Sequence, residues 1–228
     1  MPQSEHLSKH YAVDLDNLRT LVLKMGALVE GQVRVAIECF SGGQRKRLDE
    51  VIATEAEVNR LELELDEKCA HLIARRQPTA RDLRLVLAVS KTVTDLERIG
   101  DEAAKIARMG NQLAAREGIQ MPRVGDVTHS GHHALVLLRR ALQAYAQIDA
   151  TAAADIVRED ETIDQEFRAI LRQLITFMME DPRTISTALD IIWIAKAIER
   201  IGDHAKNIAQ YVVYIAEGID VRHPGSQL

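Results

Sequence analysis

Leu96-Glu97-Arg98-Ile99-Gly100-Asp101 and Ile198-Glu199-Arg200-Ile201-Gly202-Asp203 are one stretch written twice, with a single conservative change in its first residue. The match continues through Lys105-Ile106-Ala107 and Asn207-Ile208-Ala209. Upstream, Gln77-Pro78 and Asp181-Pro182 open the corresponding segments, and Glu55-Ala56-Glu57-Val58-Asn59 lines up with Asp160-Glu161-Thr162-Ile163-Asp164. Self-similarity at a fixed distance is the mark of a duplicated unit, here on the order of 100 residues. Within each copy the apolar residues recur at helical spacing: Leu96, Ile99, Ala103 and Ile106 in one, Ile198, Ile201, Ala205 and Ile208 in the other.

Working outward, breakers divide the chain into six helical stretches. The first runs from about His10 to Phe40 and stops at Ser41-Gly42-Gly43. The second covers about Arg45 to Arg76, ahead of Pro78; the third covers about Thr79, a candidate N-cap, to Glu117, with Gly118 at its end. After the linker-like Met121-Pro122-Arg123-Val124-Gly125, a fourth helix spans about Asp126 to Ala146 and a fifth Thr151 to Glu180. Asp181 as N-cap and Pro182 at the first helical position open the sixth, which Gly218 ends. The expected fold is all-α: six helices in two tandem, pseudo-repeated antiparallel three-helix bundles, residues 1–118 and 119–228.

Composition agrees. Of 228 residues, 46% are hydrophobic, 28% charged and only 4% aromatic, a balance that suits packed helices. The net charge of −5 supplies no basic field for nucleic acid, so none is expected as a partner. Cys39 and Cys69 lie far apart in sequence, without metal or redox spacing, and read as small buried side chains in a reducing, cytoplasmic setting. No apolar run reaches the ~20 residues that span a bilayer, and no leader is evident, so membrane contact is expected only through partners.

The signature carries chemistry as well as duplication. Glu97 and Asp101, and again Glu199 and Asp203, are four residues apart and share a helix face. Like charges at that spacing repel unless something neutralises them. The preceding long helix offers a second pair at the same spacing: Asp160 and Asp164 in the second copy, Glu55 and Asn59 in the first. Antiparallel packing would gather about four oxygen donors per unit, the ligand type that Mg²⁺, Mn²⁺ and iron prefer. On the helical wheel these groups fall on the flank of the buried stripe. A surface cation site fits this placement, whereas an inward-facing di-iron centre with Glu-x-x-His pairs does not. The competing reading is a solvated helix flank, with Asp101 simply paired to Lys105. Gly100 and Gly202, each costing ~1 kcal/mol inside a helix, imply a close approach by backbone, ligand or neighbouring helix.

Other candidates are weaker. His129 and His133 have ligand spacing but no evident third ligand, and His204 is at best an extra ligand in one half. Arg98 and Arg200 read as surface or dimer contacts, Trp193 as a packing or interface residue, and Arg45-Lys46-Arg47 as a solvated turn. No phosphate loop or nucleophile elbow is present, which disfavours an enzyme.

Thr94 to Asp101 and Ala197 to Ala205, with Gln77-Pro78 before Arg81-Asp82-Leu83-Arg84 and with Asp181-Pro182-Arg183-Thr184, resemble the PhoU family of phosphate-specific transport accessory proteins, over about Leu7 to Gly218. The resemblance implies paired three-helix bundles, often a homodimer, with metal clusters at acidic ExxxD or DxxxD motifs. Those motifs land on Glu97, Asp101, Glu199, Asp203, Asp160 and Asp164. The ions would be divalent or trivalent Mg, Mn, Fe or Zn. It also implies negative regulation of the phosphate regulon, linking the ATPase PstB of the Pst phosphate ABC transporter to the sensor histidine kinase PhoR. Two departures stand out: Asn59 takes the place of a second carboxylate, and Glu102 stands where the other half has His204. The alternatives are a metal-dependent helical-bundle enzyme and a metal-free helical scaffold.

Overall fold

The computed structural model describes residues 2–42, 47–116, 123–159 and 161–221, with side chains from residue 11 onward apart from those of 159 and 161. Among the described residues every regular element is a helix. The first three are α1 (Pro2–Gly42), α2 (Leu48–Arg76) and α3 (Ala80–Ala114). The second set is α4 (Val124–Gln147), α5 (Ala150–Glu159), α6 (Glu161–Glu180) and α7 (Ile185–Glu217), the last preceded by a 3₁₀ turn at Pro182–Thr184. The expected fifth helix corresponds to α5 and α6, on either side of residue 160, which lies outside the described residues.

Apolar spacing explains each element. In α1, Leu18, Val22, Met25, Val29 and Val33 recur every three or four residues and are all buried. The signature stripes behave alike: Leu96, Ile99, Ala103 and Ile106 on α3, and Ile198, Ile201, Ala205 and Ile208 on α7, are at most 1% exposed. Each large member contributes ~1.5–3 kcal/mol of burial.

The chain stops where its sequence says it must. Gln77 takes a left-handed conformation (φ 48°) and donates its N–H to Ile73 O at 3.0 Å, after which Pro78 cannot continue α2. Gly218 ends α7 with φ 78°. Asp181 accepts from Arg183 N at 3.1 Å, capping the 3₁₀ turn that leads into α7, so the expected cap is one turn earlier than the helix proper. Thr79 stands at the N-cap position of α3 in extended conformation, without a side-chain cap bond. Gly118 lies outside the described residues.

Three ion pairs and one hydrogen bond fix the helix directions. Asp14–Arg76 and Glu38–Arg47 tie α1 antiparallel to α2, while Glu55–Arg108 and Asp66–Ser90 tie α2 antiparallel to α3. The second set repeats the arrangement, giving two tandem three-helix bundles. They share a wide seam in which α3 lies antiparallel to α7, and α1 packs on α4. A continuous buried cluster includes residues from both sets, so the α3–α7 seam lies in the middle of the molecule.

Candidate functional site

The acidic signature of the first repeat lies on the flank between α2 and α3. Glu97 on α3 is half-buried and Asp101, one turn on, is exposed. From α2, Glu62 bears on both, and Asp66 bears on Glu62. The Glu97 carboxyl is held above its ordinary range, first by partial burial and then by the neighbouring charges of Asp101 and Glu62. A hydrogen bond to Asp101, which only protonated Glu97 can donate, adds to the shift. Glu62 is raised likewise, by burial and then by Asp66 and Asp101. Arg98 opposes both shifts, so it sits beside the patch and not away from it.

By spacing alone, the α2 contribution falls on Glu55 and Asn59. In the structure Glu55 receives Arg108 Nη2 at 2.6 Å, and Asn59 is exposed. Glu62 and Asp66 have the same four-residue spacing as the signature; Glu62 crowds Glu97 and Asp101, and Asp66 crowds Glu62. Lys105 does not pair with Asp101; its Nζ lies 3.4 Å from Glu102 Oε2.

The second repeat is built differently. Lys196 Nζ donates to both oxygens of Glu199, at 2.5 and 2.6 Å, and lies 5.3 Å from the centroid of the Phe167 ring. Asp164 and Asp203 are half-buried; Asp160 lies outside the described residues. His204 faces the seam, its Nδ1 2.7 Å from Asp95 Oδ1, and Asn207 donates to the same oxygen at 3.2 Å. Asp95 is only 3% exposed, so these two contacts satisfy a carboxylate that water scarcely reaches. Arg200 also belongs to the seam: it donates to Glu102 Oε1 at 2.6 Å.

The signature glycines serve helix packing. A Cβ on Gly202 would stand 2.9 Å from Ile163 Cδ1, and one on Gly100 would stand 3.1 Å from Gln32 Oε1 and 3.6 Å from Val58 Cγ1. Val58 and Ile163 thus hold the same relation to their glycines. That fixes the register between α2 and α6: Asn59 corresponds to Asp164, and Glu62 to Phe167.

Among the remaining candidates, His133 Nδ1 lies 3.2 Å from Glu166 Oε1, while His129 and His132 are exposed. Trp193 is 54% exposed with Lys105 over its ring. Arg47 bonds Glu38 and Glu50; Arg45 and Lys46 lie outside the described residues. As they stand among the described residues, no three His, Cys, Asp or Glu side chains converge on one point where an ion could sit. The chemistry of the Glu62, Asp66, Glu97 and Asp101 set nonetheless fits a hard or borderline cation, since it is all oxygen and crowded, with Arg98 opposing the shifts of Glu62 and Glu97. No helix among the described residues is long and apolar enough to cross a membrane.

Comparison with known proteins agrees with this architecture. The family model described as the PhoU domain matches residues 22–109 and again 127–212. A Pseudomonas aeruginosa protein named phosphate-specific transport system accessory protein PhoU homolog is 43% identical over 97% of this chain and 91% of its own length. The Escherichia coli phosphate-specific transport system accessory protein PhoU is 40% identical over 97% of this chain and 91% of its own. Among solved structures, PhoU from P. aeruginosa superposes with a TM-score of 0.88 at 44% identity, covering 91% of this chain and 99% of that one. The phosphate transport system regulatory protein PhoU from Streptococcus pneumoniae gives 0.85 at 27% identity, covering 93% and 100%. With two matches to the domain model covering most of its length and relatives above 40% identity, the chain belongs to the PhoU domain family.

Proposed function

We propose that this protein is a phosphate-responsive adaptor and a negative regulator of the phosphate regulon. In this reading it joins the ATPase PstB of a phosphate ABC transporter to the sensor histidine kinase PhoR. It acts by binding and not by turnover, in the cytoplasm, and reaches the membrane only through those partners. The observation that carries the proposal is the 43% identity, over nearly the whole chain, to a phosphate-specific transport accessory protein. Two features of the molecule support it: long helices offering extended faces to partners, and an acidic flank whose charge a cation would neutralise. The two repeats, 1–118 and 119–228, would each present one such face.

Glu97 and Asp101, together with Glu62 and Asp66, are the residues that would hold a divalent or trivalent ion in the first repeat. Glu55 and Asn59 lie nearer the start of α2 on the same helix. In the second repeat the acidic residues are Glu199 and Asp203 with Asp160 and Asp164, the counterparts of Glu55 and Asn59. A bound ion would supply positive charge and draw the carboxylates together; the i, i+4 spacing lets their side chains close without moving the backbone. Ile185, Leu189 and Trp193, exposed at four-residue intervals along α7, form an apolar line that suits a homodimer.

The proposal is tested in cells lacking the native gene and carrying a phosphate-repressed reporter. The wild-type chain should restore repression at high phosphate, and the Glu97→Gln, Asp101→Asn variant should not. Failure of the wild-type chain to repress would refute the regulatory role.

A further inference from the structure

The two acidic flanks are not equivalent, and the difference lies in two positions. Three residues before Glu97 stands Thr94, whose hydroxyl is spent on Ser90 O at 3.2 Å. Three residues before Glu199 stands Lys196, whose ammonium grips both carboxylate oxygens at 2.5 and 2.6 Å. Opposite Glu97 on α2 is Glu62; in the register set by Val58–Gly100 and Ile163–Gly202, the matching residue on α6 is Phe167. The Phe167 ring lies beneath the Lys196 ammonium at 5.3 Å. One flank therefore sets carboxylate against carboxylate, whereas the other sets a lysine between a carboxylate and an aromatic face.

We infer that Lys196 is the built-in countercharge of the second repeat, so that the chain takes its metal ion on the first repeat alone. The inference rests on the cation reading above and narrows it to one side of the molecule. An ion approaching Glu199 would meet the positive charge of Lys196 at contact distance and would have to break two short charge-assisted bonds. The Glu199 side chain is only 12% exposed, and Lys196 holds both of its oxygens. Phe167 offers no oxygen to compensate the loss and holds the ammonium in place by cation–π attraction. On the first flank Thr94 and not a lysine stands at the matching position, and among the described residues Arg98 is the cation that acts on both Glu62 and Glu97. A one-sided site gives the adaptor one cation-responsive face and one face of fixed charge.

The test is Mn²⁺ stoichiometry and affinity, measured by equilibrium dialysis with elemental analysis on the full-length chain, each variant first shown to melt cooperatively. Wild type should bind Mn²⁺. The Glu97→Gln, Asp101→Asn variant should lose that binding by at least about tenfold in affinity. Glu199→Gln should retain the wild-type stoichiometry, and Lys196→Met, which keeps an apolar stem over Phe167, should bind about twice as much ion. Should Lys196→Met not melt cooperatively, Lys196→Gln takes its place. If Glu199→Gln loses Mn²⁺ as severely as the first-repeat variant, or if removing the lysine adds none, the countercharge role is overturned while the cation reading stands. If wild type binds no Mn²⁺, the cation reading itself falls and takes this inference with it.

Discussion

Arg200 donates to Glu102 Oε1 at 2.6 Å, so the second copy of the signature is tied to the residue that directly follows the first. The Glu102 side chain is 10% exposed, and its other neighbour, Lys105 Nζ, is 3.4 Å away. Replacing Arg200 with Met leaves this carboxylate poorly answered inside the α3–α7 seam. The expected cost is on the order of 1–3 kcal/mol, read as a lower urea midpoint at unchanged slope. An unchanged midpoint would show that the pair contributes nothing to the seam.

The glycines that let helices approach should differ in what they tolerate. A Cβ on Gly110 would stand 3.0 Å from Phe40 Cα, part of a helix backbone, whereas on Gly202 it would meet the terminal methyl of Ile163 at 2.9 Å. A backbone cannot step aside, but a methyl can rotate. Gly110→Ala should therefore destabilise by about 1–3 kcal/mol. Gly202→Ala should fall near neutral, because the ~1 kcal/mol gained in helix propensity offsets the local crowding. Thermal melts of the two variants compare them directly, and equal losses would contradict the distinction.

Two opposing pH dependences follow from the carboxylates in metal-free protein. Glu62 and Glu97 bind protons more tightly folded than unfolded, so the stability they cost is absent below the unfolded pKa, grows as pH rises, and is complete above the raised folded value. Glu57 runs the other way. Hydrogen bonds from Arg60, then from Lys24, pull it to about 2, so its stabilising effect is present above the unfolded pKa and lost as pH falls towards that value. Glu97→Gln should raise stability at neutral pH by a few tenths of a kcal/mol, flatten the loss on the alkaline side of the carboxylate range, and leave the acid limb unchanged. Melts from pH 2 to pH 7 in a chelator read both limbs; destabilisation of the Gln variant at neutral pH would contradict the crowding argument.

Much of this was legible in the sequence, and the parts that were not have a common cause. The stripe Leu96, Ile99, Ala103 and Ile106 is periodic, so both the helix and the flanking position of Glu97 and Asp101 follow from spacing alone. The seam does not. Arg200 and Glu102 are 98 residues apart, and Asp95 and His204 are 109 apart, so no local pattern pairs them. Glu62 and Asp66 carry the signature's own four-residue spacing, but Leu63 between them is 72% exposed and breaks the apolar rhythm that marks the flank of α2. Lys196 sits three residues before Glu199, a spacing that can make an ion pair, yet its hold on the carboxylate depends on Phe167 from another helix.

Both thiols should be silent in the folded protein. Burial pushes the Cys69 thiol up to about 12, with Asp66 adding to the shift, and burial also raises Cys39. Neither cysteine should react with a thiolate-directed reagent at pH 8 within minutes, and both should react once the chain is unfolded in guanidinium. Rapid labelling of native protein would show that the core around α1 or α2 opens readily.

The account turns on a cation-responsive adaptor, and co-precipitation of the transporter ATPase and the sensor kinase with this chain tests it most directly. The chain should retain both partners when Mn²⁺ is present and lose at least one of them in chelator. The Glu97→Gln, Asp101→Asn variant should behave in Mn²⁺ as wild type does in chelator. Equal retention of both partners by wild type with and without the ion, and by the variant, would contradict the account.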